Sequence, residues 1–161
     1  MRKANFITVC VVGIALGFVI CTASSAEAGE KDRSARIDQH LAQAKGELAA
    51  GNYKGAAQLY RKALAIQPRQ AEARFALGET YRQWGKNYEA RRNFRLAMSS
   101  RPADKSWEGR CRMKVASCWE ASGHDRQAML EYQLALAANP QLAEARVASK
   151  RLASTAGKNG K

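Results

Sequence analysis

One local pattern occurs three times along this chain and constrains its architecture before any other feature is considered. Gly51, Gly85 and Gly123 are each followed five residues later by an alanine, at Ala56, Ala90 and Ala128, and four residues further on by an aromatic, at Tyr60, Phe94 and Tyr132. A second alanine comes three residues later, at Ala63, Ala97 and Ala135, and a proline five after that, at Pro68, Pro102 and Pro140. The first two copies are offset by 34 residues and the last two by 38. A period of this length marks a stack of helical or strand units, each burying its apolar face only against its neighbours.

The residue types choose helices. Alanine, leucine, arginine, lysine, glutamate and glutamine dominate the chain after residue 35, and prolines number only three, so helix is favoured nearly everywhere. The small residues Ala56, Ala90 and Ala128 let two helices approach closely, and the aromatics four residues later share their face and fill the space between hairpins. Each glycine ends the first helix of a pair, and each proline follows the second, where it cannot continue the ladder. Helices are therefore expected at 37–50, 54–67, 71–84, 88–101, 106–122 and 126–138.

In the middle copy Leu77-Gly78 and Tyr81 precede Ala90, Phe94 and Pro102, and this Leu-Gly-x-x-Tyr, Ala-x-x-x-Phe, Pro pattern resembles the tetratricopeptide repeat (TPR) family. The resemblance covers residues 37–142. The outer copies depart from it in their first helices, with Gln43-Ala44 and Glu47 in one and Val115-Ala116 and Trp119 in the other. It implies an all-α, right-handed superhelical stack of three TPR hairpins, with repeats at 37–70, 71–104 and 105–142. A further helix at 143–153 is expected to cap the open end, because Leu142, Ala145, Ala148 and Leu152 fall on one side and Glu144, Arg146, Lys150 and Arg151 on the other. Residues 29–36 read as a polar lead-in, and 154–161 as a disordered basic tail. The four extra residues before the third repeat, around Lys105 to Glu108, add a turn to the fifth helix. Trp107 on that turn either covers the hairpin junction or stands exposed at the rim of a binding surface.

The N-terminus reads as an export signal. Arg2 and Lys3 precede an uncharged run from Phe6 to Cys21, and Ala26-Glu27-Ala28 offers a small-x-small cleavage pattern. Residues 1–28 are thus expected to be removed, leaving the rest in the periplasm or cell envelope. An uncleaved inner-membrane anchor over residues 4–23 is the alternative; a lipid at Cys21 is disfavoured by Ile20 before it. The net charge of +13 falls to +12 on loss of Arg2, Lys3 and Glu27. Such charge would suggest nucleic acid in a cytoplasmic protein, but none is expected for an exported one, whose anionic neighbours are lipid headgroups, wall polymers and acidic protein segments.

Catalytic chemistry is missing from the pattern. His40 and His124 have no nucleophile or metal-ligand partner at a useful spacing and are expected to face solvent. There is no phosphate loop, no haem-attachment motif and no paired carboxylate motif, so neither an enzyme nor a cofactor is expected. Cys111 and Cys118 lie seven residues apart on one helix, a separation of about 10 Å, which exceeds the roughly 7 Å that a disulfide tolerates.

The family resemblance implies that the first helices line a concave face that takes a peptide or partner helix. Leu41, Phe75 and Met113 occupy equivalent inner positions, 34 and 38 residues apart as their repeats are. Lys45, Arg82, Arg110 and Lys114 flank them and suit an acidic ligand, with Arg110 and Lys114 able to share one carboxylate; Asp38, Glu72, Glu79 and Glu120 lie beside them. Some family members grip a C-terminal carboxylate with basic and amide side chains from three repeats. The corresponding places here hold Leu41, Lys45, Ala76, Arg110 and Lys114, and the first two repeats lack the amides. The expected function is an exported protein-binding module, an envelope assembly or scaffold factor; the alternative is a basic, surface-associated structural protein that binds an anionic envelope polymer or membrane.

Overall fold

A computed structural model describes residues 22–158, with side chains from Ala28 to Thr155. Within that span seven helices follow one another: α1 (Thr22–Ala49), α2 (Tyr53–Ile66), α3 (Ala71–Gln83), α4 (Asn87–Ser99), α5 (Lys105–Glu120), α6 (Asp125–Ala138) and α7 (Ala143–Lys158). Helices pack chiefly against their neighbours in sequence. The chain is an all-α stack of hairpins α1–α2, α3–α4 and α5–α6, with α7 laid on α6.

The turns inside the hairpins share one chemistry. Gly51, Gly85 and Gly123 adopt φ of +76°, +78° and +74°, the left-handed region that residues with a Cβ rarely enter. A Cβ at these glycines would touch nothing within 4 Å, so backbone conformation selects glycine there, not crowding. The reversal lets the next residue donate back to the carbonyl five residues earlier, as Lys86 does to Tyr81 at 2.8 Å and His124 to Trp119 at 3.0 Å, closing the helix ends. Gly78 is glycine for the opposite reason. A Cβ there would sit 2.7 Å from the Phe94 ring, and in the other hairpins alanine takes this place, as Ala44 and Ala116, opposite Tyr60 and Tyr132.

Ala56, Ala90, Ala128, Phe94 and Tyr60 are at most 2% exposed. One apolar cluster joins the first two hairpins and reaches Val115 and Cys118 of α5. A second holds Ala116, Ala128, Tyr132 and Ala135 under Ala145 and Leu152 of α7. A third is centred on Trp107 and Cys111 with Ala71 and Ala97. Burying these faces is the main force that holds otherwise marginal helices of 13 to 16 residues together.

Two terminal segments differ from the sequence reading. Residues 29–36 are not a linker; α1 runs unbroken through them. Their support is polar and invisible to apolar periodicity: Arg36 pairs with Asp32 at 3.3 Å, and Arg33 donates to the Ile66 carbonyl at the end of α2 at 2.7 Å. At the other end α7 extends to Lys158, so Ser154–Lys158 is helix and not irregular tail; Ser154 and Thr155 hydroxyls donate to carbonyls three residues back. The uncharged run Phe6–Cys21 lies outside the described residues. Among those described, no helix is long and apolar enough to cross a membrane.

Candidate functional site

Ion pairs between hairpins define the sides of the stack. Lys114 of α5 reaches Glu79 of α3 at 3.1 Å, and Arg151 of α7 pairs with Glu120 of α5, so first helices lie beside first helices. Arg95 of α4 reaches Glu131 of α6 at 3.4 Å, which places second helices together on the other side. The first-helix side is the one that the family resemblance implies to be the inner face.

Leu41 on α1, Phe75 on α3 and Met113 on α5 are each half-buried. Leu41 and Phe75 rest on the cluster shared by the first two hairpins, and Met113 on the cluster under α7. Phase explains this placement, since they follow Ile37, Ala71 and Gly109, all buried, by one helical turn. Phe75 is the best anchored: its ring meets Phe94 edge-on at 5.2 Å and tilts against Trp107 at 5.3 Å. The three side chains are rooted in the core and also reach the surface.

The charged side chains around them are not equivalent. Glu79 takes two hydrogen bonds from Arg82, at 2.9 and 3.2 Å on Oε2, while its Oε1 faces Lys114; one carboxylate therefore offsets two of the flanking cations. Glu120 is likewise held by Arg151 and by the Tyr132 hydroxyl at 3.1 Å, and Glu72 by Arg101. Arg110 is exposed and lies over the Trp107 ring at 4.8 Å, while Lys114 turns to Glu79, so the two do not converge on a common point. Lys45 is exposed and makes no ion pair among the described residues.

Trp107 itself is 4% exposed, its indole N–H donating to the Ala97 carbonyl at 2.9 Å. It covers the junction of α3, α4 and α5 and is not a rim aromatic. His40 also departs from expectation: it is half-buried, with Nδ1 enclosed and without a hydrogen-bond partner among the described residues. His124 is exposed, edge-on to Trp119 at 5.2 Å. Cys111 and Cys118 are free and fully buried, and burial pushes their thiols up to about 12 and about 11. No group of three or more potential metal ligands occurs among the described residues. One feature of the inner side had escaped the sequence reading, the shared use of Glu79; its i,i+3 spacing from Arg82 was a readable signal, whereas the contact with Lys114 depends on how the hairpins stack.

A family model described as "TPR repeat" matches residues 47–93. No curated protein matches the chain in sequence. Among solved structures, the Sgt2 TPR domain from Aspergillus fumigatus superposes with a TM-score of 0.66 at 16% identity, covering 77% of this chain and 81% of that one. The second TPR domain of the human RPAP3 protein, in complex with the HSP70 peptide SGPTIEEVD, gives 0.65 at 16% identity, with 74% and 97% covered. The Yersinia enterocolitica type III secretion chaperone SycD, in complex with a peptide of the translocator YopD, gives 0.60 at 19% identity, with 73% and 87% covered.

Proposed function

We propose that this tetratricopeptide-repeat protein is an exported, non-catalytic binding module that holds a peptide or helical segment of a partner protein on its inner face, as an assembly or scaffold factor of the cell envelope. The single observation that carries the reading is the row Leu41, Phe75 and Met113, three apolar side chains in repeat register, each rooted in the core and each partly exposed. Apolar footholds flanked by charge of both signs suit a short segment with hydrophobic anchors. Similar folds that hold peptides of HSP70 and of YopD support the use of the fold for peptide binding.

Selection for acidic ligands falls on Lys45 and Arg110, the cations of this face not held by a carboxylate, with Arg82 and Lys114 contributing once a ligand competes with Glu79. Residues 1–28 direct export, and cleavage after Ala28 falls within the span that α1 occupies in the full chain. Crosslinking in intact cells with mass spectrometry identifies the partner, and titration with the segment so found tests the site. Phe75→Ala lowers affinity by at least about 1 kcal/mol, and Lys45→Glu weakens acidic segments selectively. Parent-like binding by both folded variants sinks the inner-face model.

A further inference from the structure

The second helices carry a regular surface of their own. Along α2, Lys54, Gln58 and Lys62 are spaced by four; along α4, Tyr88, Arg92 and Leu96; along α6, Arg126, Leu130 and Leu134. Each set is one stripe on its helix, and the α4 stripe lies 34 residues from the α2 stripe and 38 from the α6 stripe, the offsets of the repeats themselves. The three stripes are therefore equivalent positions, side by side on the outer face. All nine residues are exposed. Four are basic, four are large and apolar, and none is acidic.

Exposure is substantial where it is least expected, at 71% for Tyr88, 56% for Leu130, 39% for Leu134 and 37% for Leu96. Lys54, Lys62, Arg92 and Arg126 make no ion pair among the described residues, in contrast to the inner face, where Glu72, Glu79 and Glu120 are all paired. Between α2 and α4 a depression of about 310 Å³ is walled by Arg61, Arg74 and Arg92, with Glu89 as its one acid.

We propose that this outer face binds the surface of an anionic phospholipid bilayer, Tyr88 and the leucines sinking into the headgroup boundary while Lys54, Lys62, Arg92 and Arg126 meet phosphates. Leucine and tyrosine mixed with an excess of bases, Glu89 and Asp125 being the acids beside the stripes, resembles the composition of a helix lying in a membrane interface, here distributed over three helices. The outer side of a curved stack meets a plane along its crest. A second copy fits less well, because it would set one positive face against another.

The test is co-sedimentation of the full chain with vesicles of phosphatidylcholine alone and of phosphatidylcholine mixed with phosphatidylglycerol. The uncharged run Phe6–Cys21 partitions into both, so the readout is the difference between them. The parent binds the anionic vesicles more tightly. Combining Arg92→Gln with Arg126→Gln reduces that binding about 25-fold, at about 5-fold per charge, and leaves phosphatidylcholine binding unchanged. Leu130→Gln with Leu134→Gln reduces it at least about 10-fold; circular dichroism checks that both pairs keep the parent's helicity. Anionic-vesicle binding unaffected by either pair overturns the proposal. So does a dimer in sedimentation velocity that the leucine pair dissociates, which assigns the face to a second copy, or Arg92-dependent binding of polyglutamate without vesicle binding, which assigns it to an acidic chain.

Discussion

Glu79 sets how much positive charge the inner face offers. With its carboxylate between Arg82 and Lys114, an acidic ligand must compete with a resident group of the same kind. Glu79→Gln removes the competitor and raises affinity for an acidic segment about 5-fold, roughly 1 kcal/mol; isothermal titration of parent and variant with the same peptide measures it, and unchanged affinity places the ligand's carboxylates elsewhere. The buried thiols make a separate prediction. In the unfolded chain they ionise near about 8.5, but in the folded chain only near about 12 for Cys111 and about 11 for Cys118. Between those limits the unfolded form has released protons that the folded form retains, so stability falls as pH rises. Thermal melts from about pH 8.5 to pH 11 record that decline, and Cys118→Ala makes it shallower. Tyr60 and Tyr132, raised by burial above their ordinary value, add to it from about pH 10.

At the scale of elements, the four residues that break the even period have a structural task. They give α5 an extra turn, capped by Asp104, whose carboxylate accepts from the Trp107 backbone N–H at 2.8 Å, and they deliver the indole to the Ala97 carbonyl. Trp107→Phe keeps most of the apolar volume but removes the indole donor, leaving the Ala97 carbonyl with the Ser100 N–H at 3.2 Å, and lowers stability in urea denaturation by about 1 kcal/mol; a parent-like midpoint means the bond contributes nothing. Periodicity located α2 to α6 within two residues of their observed bounds, because those helices alternate buried alanines and aromatics with exposed charge. It failed at the N-terminal part of α1, where Ala28 to Arg36 are exposed and the support is one ion pair and one bond to a neighbouring carbonyl. Trp107 was legible as a residue with two possible settings; deciding between them required the position of Ala97, ten residues away on another helix. For the inner face, the register of Leu41, Phe75 and Met113 was readable by counting, whereas the state of each cation depended on partners from adjacent hairpins.

For the whole molecule, charge is sorted by side: carboxylates and cations interlock on the inner face, and cations predominate on α2 and α4 outside. Export is tested at this scale by the intact mass of protein from the envelope fraction. A chain beginning at Gly29 agrees with cleavage, and recovery of residues 1–28 on the chain replaces it with an anchored form. The wedge at Trp107 has a mechanical consequence. It ties three helices across one joint, touching α3 through Phe75 and α4 through Ala97, while the joint between the first two hairpins is closed by a shared cluster that includes Tyr60, Leu64, Leu77 and Tyr81. Close-packed joints resist bending, so the stack keeps its shape at both joints. Leu41, Phe75 and Met113 are then held at set separations, like the teeth of a comb.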